Sequence, residues 1–148
     1  MYRERLTPRP VIWVVLGAFA GTVGIAYAAA LGIPIGFTVG LGLVTLIYAV
    51  LWWTSPILTV SPMCVTAGPA ALPIESIAET TILDTEGLKL ARDGRHPDAD
   101  ARSYTLIRPW AGNAGVLITL KDDADPHPSW VLSSRHPDDL AAAIHAAR

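Results

Sequence analysis

Apolar positions along this 148-residue chain follow two different patterns. From Val11 to Trp53 they run almost unbroken, and beyond Trp53 they alternate with polar residues over short stretches. Val11 to Leu31 is 21 residues, about 31 Å at a helical rise of about 1.5 Å per residue, which matches a hydrocarbon core of about 30 Å. Gly32 and Pro34 in "LGIP" break that helix, and Ile35 to Trp53 supplies a second span of 19 residues. The pattern predicts a transmembrane helical hairpin within residues 11–54.

Residues 55–148 predict one small domain. "ILTVS" (57–61) and "CVTAG" (64–68) flank Pro62 and Met63 as a strand hairpin, and "PIESIAETTIL" (73–83) reads as a third strand. Residues 84–103 read as a polar loop. "YTLIRPW" (104–110), "GVLITLKD" (115–122) and "SWVLSSR" (129–135) predict three more strands, with Val116, Ile118 and Leu120 on one face. Pro137 at a first helical position, Asp138 and Asp139 at the positive dipole end, and Leu140 and Ile144 four apart predict a closing helix over 137–147. The fold class expected is an α+β membrane protein: a two-helix transmembrane hairpin, then a small antiparallel β domain capped by a C-terminal helix.

Charge sharpens the first half of this picture. No Asp, Glu, Lys or Arg occurs between Arg9 and Glu75, a stretch of 65 residues, and the mean hydropathy of the chain is +0.40 with 51% hydrophobic residues. A lipid bilayer is the expected environment. Trp13, Trp52 and Trp53 fall at one end of the hairpin, where an amphipathic indole favours the membrane interface. Arg3, Arg5 and Arg9 lie just outside that end, so residues 1–10 read as a basic cytoplasmic tail. The positive-inside rule with an even span count predicts a multi-pass protein of the cell membrane with both termini in the cytoplasm. A competing reading, a signal peptide cleaved after "AYA" (26–28), fits less well because the apolar run continues to Leu31.

Gly17 and Gly21, and Gly36 and Gly40, recur at four-residue spacing, with Gly24 and Ala28 extending the first stripe. Such stripes let helix backbones approach, either within the hairpin or in a homo-oligomer. Neither span carries an ionisable Asp, Glu, His, Lys or Arg, which disfavours a transporter or proton relay. Residues 55–148 hold eight of the eleven Lys and Arg and twelve of the thirteen acids, a charge of −4. Nucleic acid, which demands a basic face, is therefore not an expected partner.

Four places along the chain carry residue types suited to chemistry. His96, Asp98, Asp100, Asp122, Asp123, Asp125 and His127 are types that bind hard cations, but their spacing matches no metal motif and they read as a pair of solvated loops rich in Asp and Pro. Cys64 is the sole cysteine and reads as a small hydrophobe on a strand. Ser133, Ser134, His136 and Asp138 resemble a triad only by composition, with no GxSxG elbow. No catalytic residue, metal site or cofactor is expected. The fourth place is Arg108, followed by Pro109 and Trp110. In a strand ending there, with "AGNAG" (111–115) as hairpin loop, Arg108 and Trp110 share a face beside the tip. Two readings stay open: Arg108 pairs with an acid while its stem packs on Trp110, or the two form a binding site for an anion or a membrane surface.

The basic N-terminus, the hairpin ending in Trp, and then "SPILTV", "ALPIESI", "LIRPW" and "WVLSSRHPDDLAAAI" resemble an uncharacterised family of small actinobacterial two-span membrane proteins, domain of unknown function 3093. The order of strands with a closing "LSSRHPDDLAAAI" helix is also similar to bacterial pleckstrin-homology-like domains tethered to membrane hairpins. These resemblances imply location and architecture without a reaction. The function expected is a membrane-anchored binding or scaffolding module for an unidentified protein partner rather than an enzyme, the alternative being an envelope-associated enzyme or an accessory subunit of a membrane enzyme or transporter.

Overall fold

A computed structural model describes residues 1–99, 101–122 and 125–148. It separates into two compact units, Thr7–Ser55 and a second made of Met1–Leu6 with Pro56–Arg148.

The first unit is a pair of apolar helices, α1 (Pro10–Leu31) and α2 (Ile33–Trp53), each long and apolar enough to cross a membrane, with mean hydropathy 2.0. Pro sits in the first turn of both, where its missing N–H costs nothing. Gly32 separates them with φ of 100°, in the positive region that side chains rarely adopt. The backbones meet through Ala20 and Gly24 on one helix and Gly36 and Gly40 on the other, which are buried. A Cβ on Gly24 would lie 3.0 Å from the Cα of Gly40, and one on Gly36 would strike the Ala28 backbone. Of the residues expected at this contact, Gly24, Ala28, Gly36 and Gly40 are in it. Gly17 reaches only the Tyr48 hydroxyl, and Gly21 has nothing within 4 Å. The seam runs through positions 20, 24 and 28, one residue off the 17–21 pair. At the Trp13 end, Trp13 and Tyr48 pack edge to face at 4.6 Å. The Tyr48 hydroxyl donates to the Trp13 carbonyl at 3.1 Å, and Trp13 Nε1 donates to the Pro8 carbonyl at 3.1 Å.

The second unit has two four-stranded sheets. The first, β1 (Tyr2–Arg5), β2 (Ile57–Val60), β3 (Cys64–Ala67) and β4 (Ala70–Pro73), is an antiparallel meander in that order. Residues 1–10 are thus not simply a tail, because Tyr2–Arg5 pairs with β2 in register Tyr2↔Val60 to Arg5↔Ile57. Its period-2 pattern turns Glu4 and Leu6 inward, but a charged residue in the inward row and Arg3 and Arg5 beside it disguise the strand. The run 73–83 is not one strand either. Pro73, unable to donate to a ladder, ends β4, and a single 3-10 turn at Ile74–Ser76 carries the chain into the other sheet.

That sheet contains β5 (Ile77–Leu83), β6 (Tyr104–Leu106), β7 (Ala114–Leu120) and β8 (Ser129–Ser134) in the order β5-β7-β8-β6. The expected purely antiparallel domain is corrected here, since β6 runs parallel to β8 (Tyr104↔Trp130, Leu106↔Leu132). β8 is inserted between β6 and β7, which the sequence reading had paired as a hairpin. The central strands are covered on both faces. Val116, Ile118, Leu120, Trp130 and Leu132 pack with Leu58, Val60, Val65 and Leu72 of the first sheet and with Leu140 and Ile144 of the closing helix α4 (Pro137–Ala147). Leu117 and Val131 point the opposite way, onto Leu88 and Ala91 of α3 (Thr85–Arg92). Helix α3 occupies part of the expected loop 84–103. Asp84 caps it by accepting from the Gly87 N–H at 2.7 Å, and Leu88 and Ala91, three apart, give it one apolar face.

Candidate functional site

Residues 107–113 join β6 to β7 by passing over the end of β8, and this crossover holds both predicted site residues. Arg108 to Ala111 form a turn closed by the Ala111 N–H donating to the Arg108 carbonyl at 2.9 Å, with Pro109 at the position its fixed φ suits. The end of β8 pins the segment at three points. The Arg108 N–H donates to Ser133 Oγ at 2.9 Å, Arg135 Nε donates to the Ala111 carbonyl at 2.8 Å, and Gly112 lies so close that a Cβ would stand 2.6 Å from the Ser134 carbonyl oxygen. A strand inserted between β6 and β7 is therefore what explains the cation, the proline and the indole in "LIRPWAGNAG": they build a braced bridge instead of a hairpin tip.

The bridge brings the two side chains together. The Arg108 guanidinium lies over the Trp110 ring, 5.4 Å from its centroid, and Trp110 is 37% exposed. A contact of this kind contributes about 0.5–1 kcal/mol at an exposed site. The acid expected to pair with Arg108 is not there: its Nε is sealed from solvent without a hydrogen-bond acceptor, and among the described residues no carboxylate bridges to it. The arrangement is a guanidinium held against an indole, with no carboxylate bridging it among the described residues.

Beside the bridge lies a carboxylate from the segment expected to be a basic tail. Glu4 is 9% exposed; its Oε2 accepts from the Tyr2 hydroxyl at 2.7 Å and from Ser134 Oγ at 2.6 Å, and its Oε1 accepts from the Arg135 N–H at 2.9 Å. These bonds clasp β1 to the end of β8. Burial, with the adjacent Glu4 carboxylate adding to it, pushes the Tyr2 phenol up to about 12. The signal for the clasp was the alternation of Tyr2, Glu4 and Leu6, readable only with a partner strand in hand.

Other sequence candidates are placed differently. Ser133 and Ser134 are fully buried and committed to the backbone and to Glu4, with Ser133 Oγ contacting the Leu106 carbonyl at 3.3 Å. His136 is bound to Ser134 only through its own N–H, at 3.0 Å, and Asp138 lies in the first turn of α4. They form no triad. Cys64 is half-buried, tied to Ser61 through backbone bonds with Oγ–Sγ at 3.4 Å. Asp100 and Asp123 lie outside the described residues; among those described, no three His, Cys, Asp or Glu side chains converge on a point. His96 is 4.0 Å from Asp98, while His127 Nδ1 lies 2.7 Å from the Arg102 carbonyl and its ring packs near Tyr104.

Compared with known proteins, residues 1–144 match a family described as "Protein of unknown function (DUF3093)". The chain belongs to that family. No curated protein and no solved structure matches it. Family membership therefore adds no reaction or ligand to the site, and the geometry of the bridge remains the basis for assigning a role.

Proposed function

We propose that this DUF3093 protein is a two-span membrane protein whose β domain is a binding module on the cytoplasmic face of the cell membrane. The observation that carries this is the pairing of β1 with β2. The chain leaves the sheet at Arg5, runs through two apolar helices of 22 and 21 residues, and re-enters the same sheet at Ile57. Helices that cross a bilayer between two neighbouring strands must cross it an even number of times, so both termini share one side. Arg3, Arg5 and Arg9 mark that side as cytoplasmic. The Trp13–Tyr48 pair, with Trp52 and Trp53 at the end of α2, supplies aromatic residues suited to the interface on the same side.

Binding rather than catalysis is favoured by the commitments of the polar side chains. The hydroxyls of Ser133 and Ser134 hold the fold together, whereas Arg108 and Trp110 are presented on a braced bridge with no carboxylate partner for Arg108 among the described residues. A pleckstrin-homology-like β domain belongs with this reading; the antiparallel meander, second sheet and closing helix support it, and the parallel β6–β8 pair counts against it. Reporter fusions test the proposal. A fluorescent protein that matures in the cytoplasm should be active after Arg148 and a periplasm-dependent phosphatase inactive there; the reverse activities would overturn it.

A further inference from the structure

We infer that Arg108 and Trp110 form a recognition site for a phosphate oxyanion, supplied by the headgroup of an anionic phospholipid. The inference rests on the membrane-bound reading above and adds a ligand class to it. Arg108 Nε is closed off with no acceptor, which leaves the two terminal guanidinium nitrogens as the donors through which an anion is met. Those two nitrogens form a planar fork that fits two oxygens of one phosphate. A buried, unsatisfied polar atom on a cation is a cost that a native structure seldom carries without a use. The backbone that carries it is braced: the Arg108 N–H is bonded to Ser133 Oγ, and Arg135 and Gly112 tie positions 111 and 112 to the end of β8.

Charge and shape narrow the ligand. The β unit, Met1–Leu6 with Pro56–Arg148, carries ten Lys and Arg against all thirteen acids, a net −3, so it does not draw in a polyanion by its overall field. A guanidinium stacked beside a half-exposed indole suits one phosphate attached to a less polar body, with the indole against the glycerol region. Only residues 6–9 and 54–56 join the sheet to the two apolar helices. If those helices lie in a bilayer, the chain that carries Arg108 is anchored to a membrane, whose lipid headgroups supply phosphate.

The test uses the full chain in zwitterionic detergent micelles, titrated separately with a short-chain phosphatidylglycerol, a short-chain phosphatidylcholine and inorganic phosphate while the melting temperature is followed. Phosphatidylglycerol should raise it saturably and phosphatidylcholine should not, and R108Q should weaken the response at least about five-fold, as expected for one cation at an anionic surface. An equal response to inorganic phosphate would overturn the lipid assignment. No saturable response of the natural protein to either anion, or an unaltered response in R108Q, would overturn the site altogether. Should R108Q not fold, the Arg108 terminal guanidinium and Trp110 indole N–H resonances of the natural chain decide: movement during the phosphatidylglycerol titration supports the site, and static resonances refute it. A reporter result placing the C-terminus in the periplasm would overturn the topology while leaving a positive titration intact, so the two claims fail separately.

Discussion

Replacing Gly36 by Val tests the helix pair at its closest point. An added Cβ would lie 2.5 Å from the Cα of Ala28, whereas ordinary contact starts at 3.4 Å. The obstacle is backbone rather than a flexible side-chain tip, so α1 and α2 must part by the difference, about 0.9 Å, and Val carries two further methyl groups into the same space. A gap of 0.5–1 Å forfeits roughly a quarter to a half of each dispersion contact, and around Gly36 the seam is built of small residues. Overpacking of this kind costs about 1–3 kcal/mol, and the better helix propensity of Val over Gly returns only a few tenths. We expect a net loss of about 2 kcal/mol. Gly21→Val is the matched control, because Gly21 has nothing within 4 Å and should stay within about 0.5 kcal/mol of the natural chain. The assay is an SDS titration in mixed micelles, with helix separation read by energy transfer between dyes on cysteines replacing the exposed Val11 and Val50, in a Cys64→Ser background. Equal midpoints for G36V and the natural chain, or G21V as damaging as G36V, would refute the packing.

Three further outcomes follow from the β unit. Glu4→Gln removes the charge that the Tyr2 hydroxyl, Ser134 Oγ and the Arg135 N–H all donate to, and should cost about 1–3 kcal/mol in a thermal melt of the full chain; an unchanged melt would mean the clasp is not stabilising. Tyr2 is an acid whose folded pKa is raised to about 12 from 10.0, so the stability tied to its neutral form is complete below pH 10 and falls as pH rises from there towards 12. With Glu4, Ser134 and Asp139 as the groups acting on it, Tyr2→Phe should flatten that alkaline loss, and an identical pH profile in the variant would contradict the assignment. Gly115→Ala drives a Cβ into the Leu132 carbonyl across the β7–β8 pair and should destabilise by about 1–3 kcal/mol, measured by urea unfolding.

Local pattern made some parts of this fold legible and hid others. The apolar helices stood out because lipid-compatible segments need no alternation, and their ends fell within two residues of α1 and α2. Closing helix α4 was legible from Pro137, the two Asp of its first turn and the Leu140–Ile144 spacing. What was missed depends on partners distant in the chain. β1 is four residues with three charges, and it is a strand because β2 lies 55 residues onward. The insertion of β8 between β6 and β7 cannot be read from either strand, since a hairpin and a split hairpin share the same alternation. Helix α3 left a local signal, the Asp84 cap followed by Leu88 and Ala91, outweighed by the Gly and charge around it. Arg108 and Trp110 were identifiable as an adjacent pair, but the missing acid is visible only in three dimensions.

The central claim is that the two apolar helices cross a bilayer and return the chain to its starting sheet. Labelling with a membrane-impermeant maleimide on intact spheroplasts tests it most directly, using single cysteines placed in the Cys64→Ser chain either at Ile33, beside the turn between the helices, or at Arg148. The account predicts that the Ile33 site is labelled from outside while the Arg148 site reacts only after the membrane is opened. Labelling of Arg148 without labelling of Ile33 in intact spheroplasts would contradict the orientation, and equal labelling of both would contradict the membrane crossing itself.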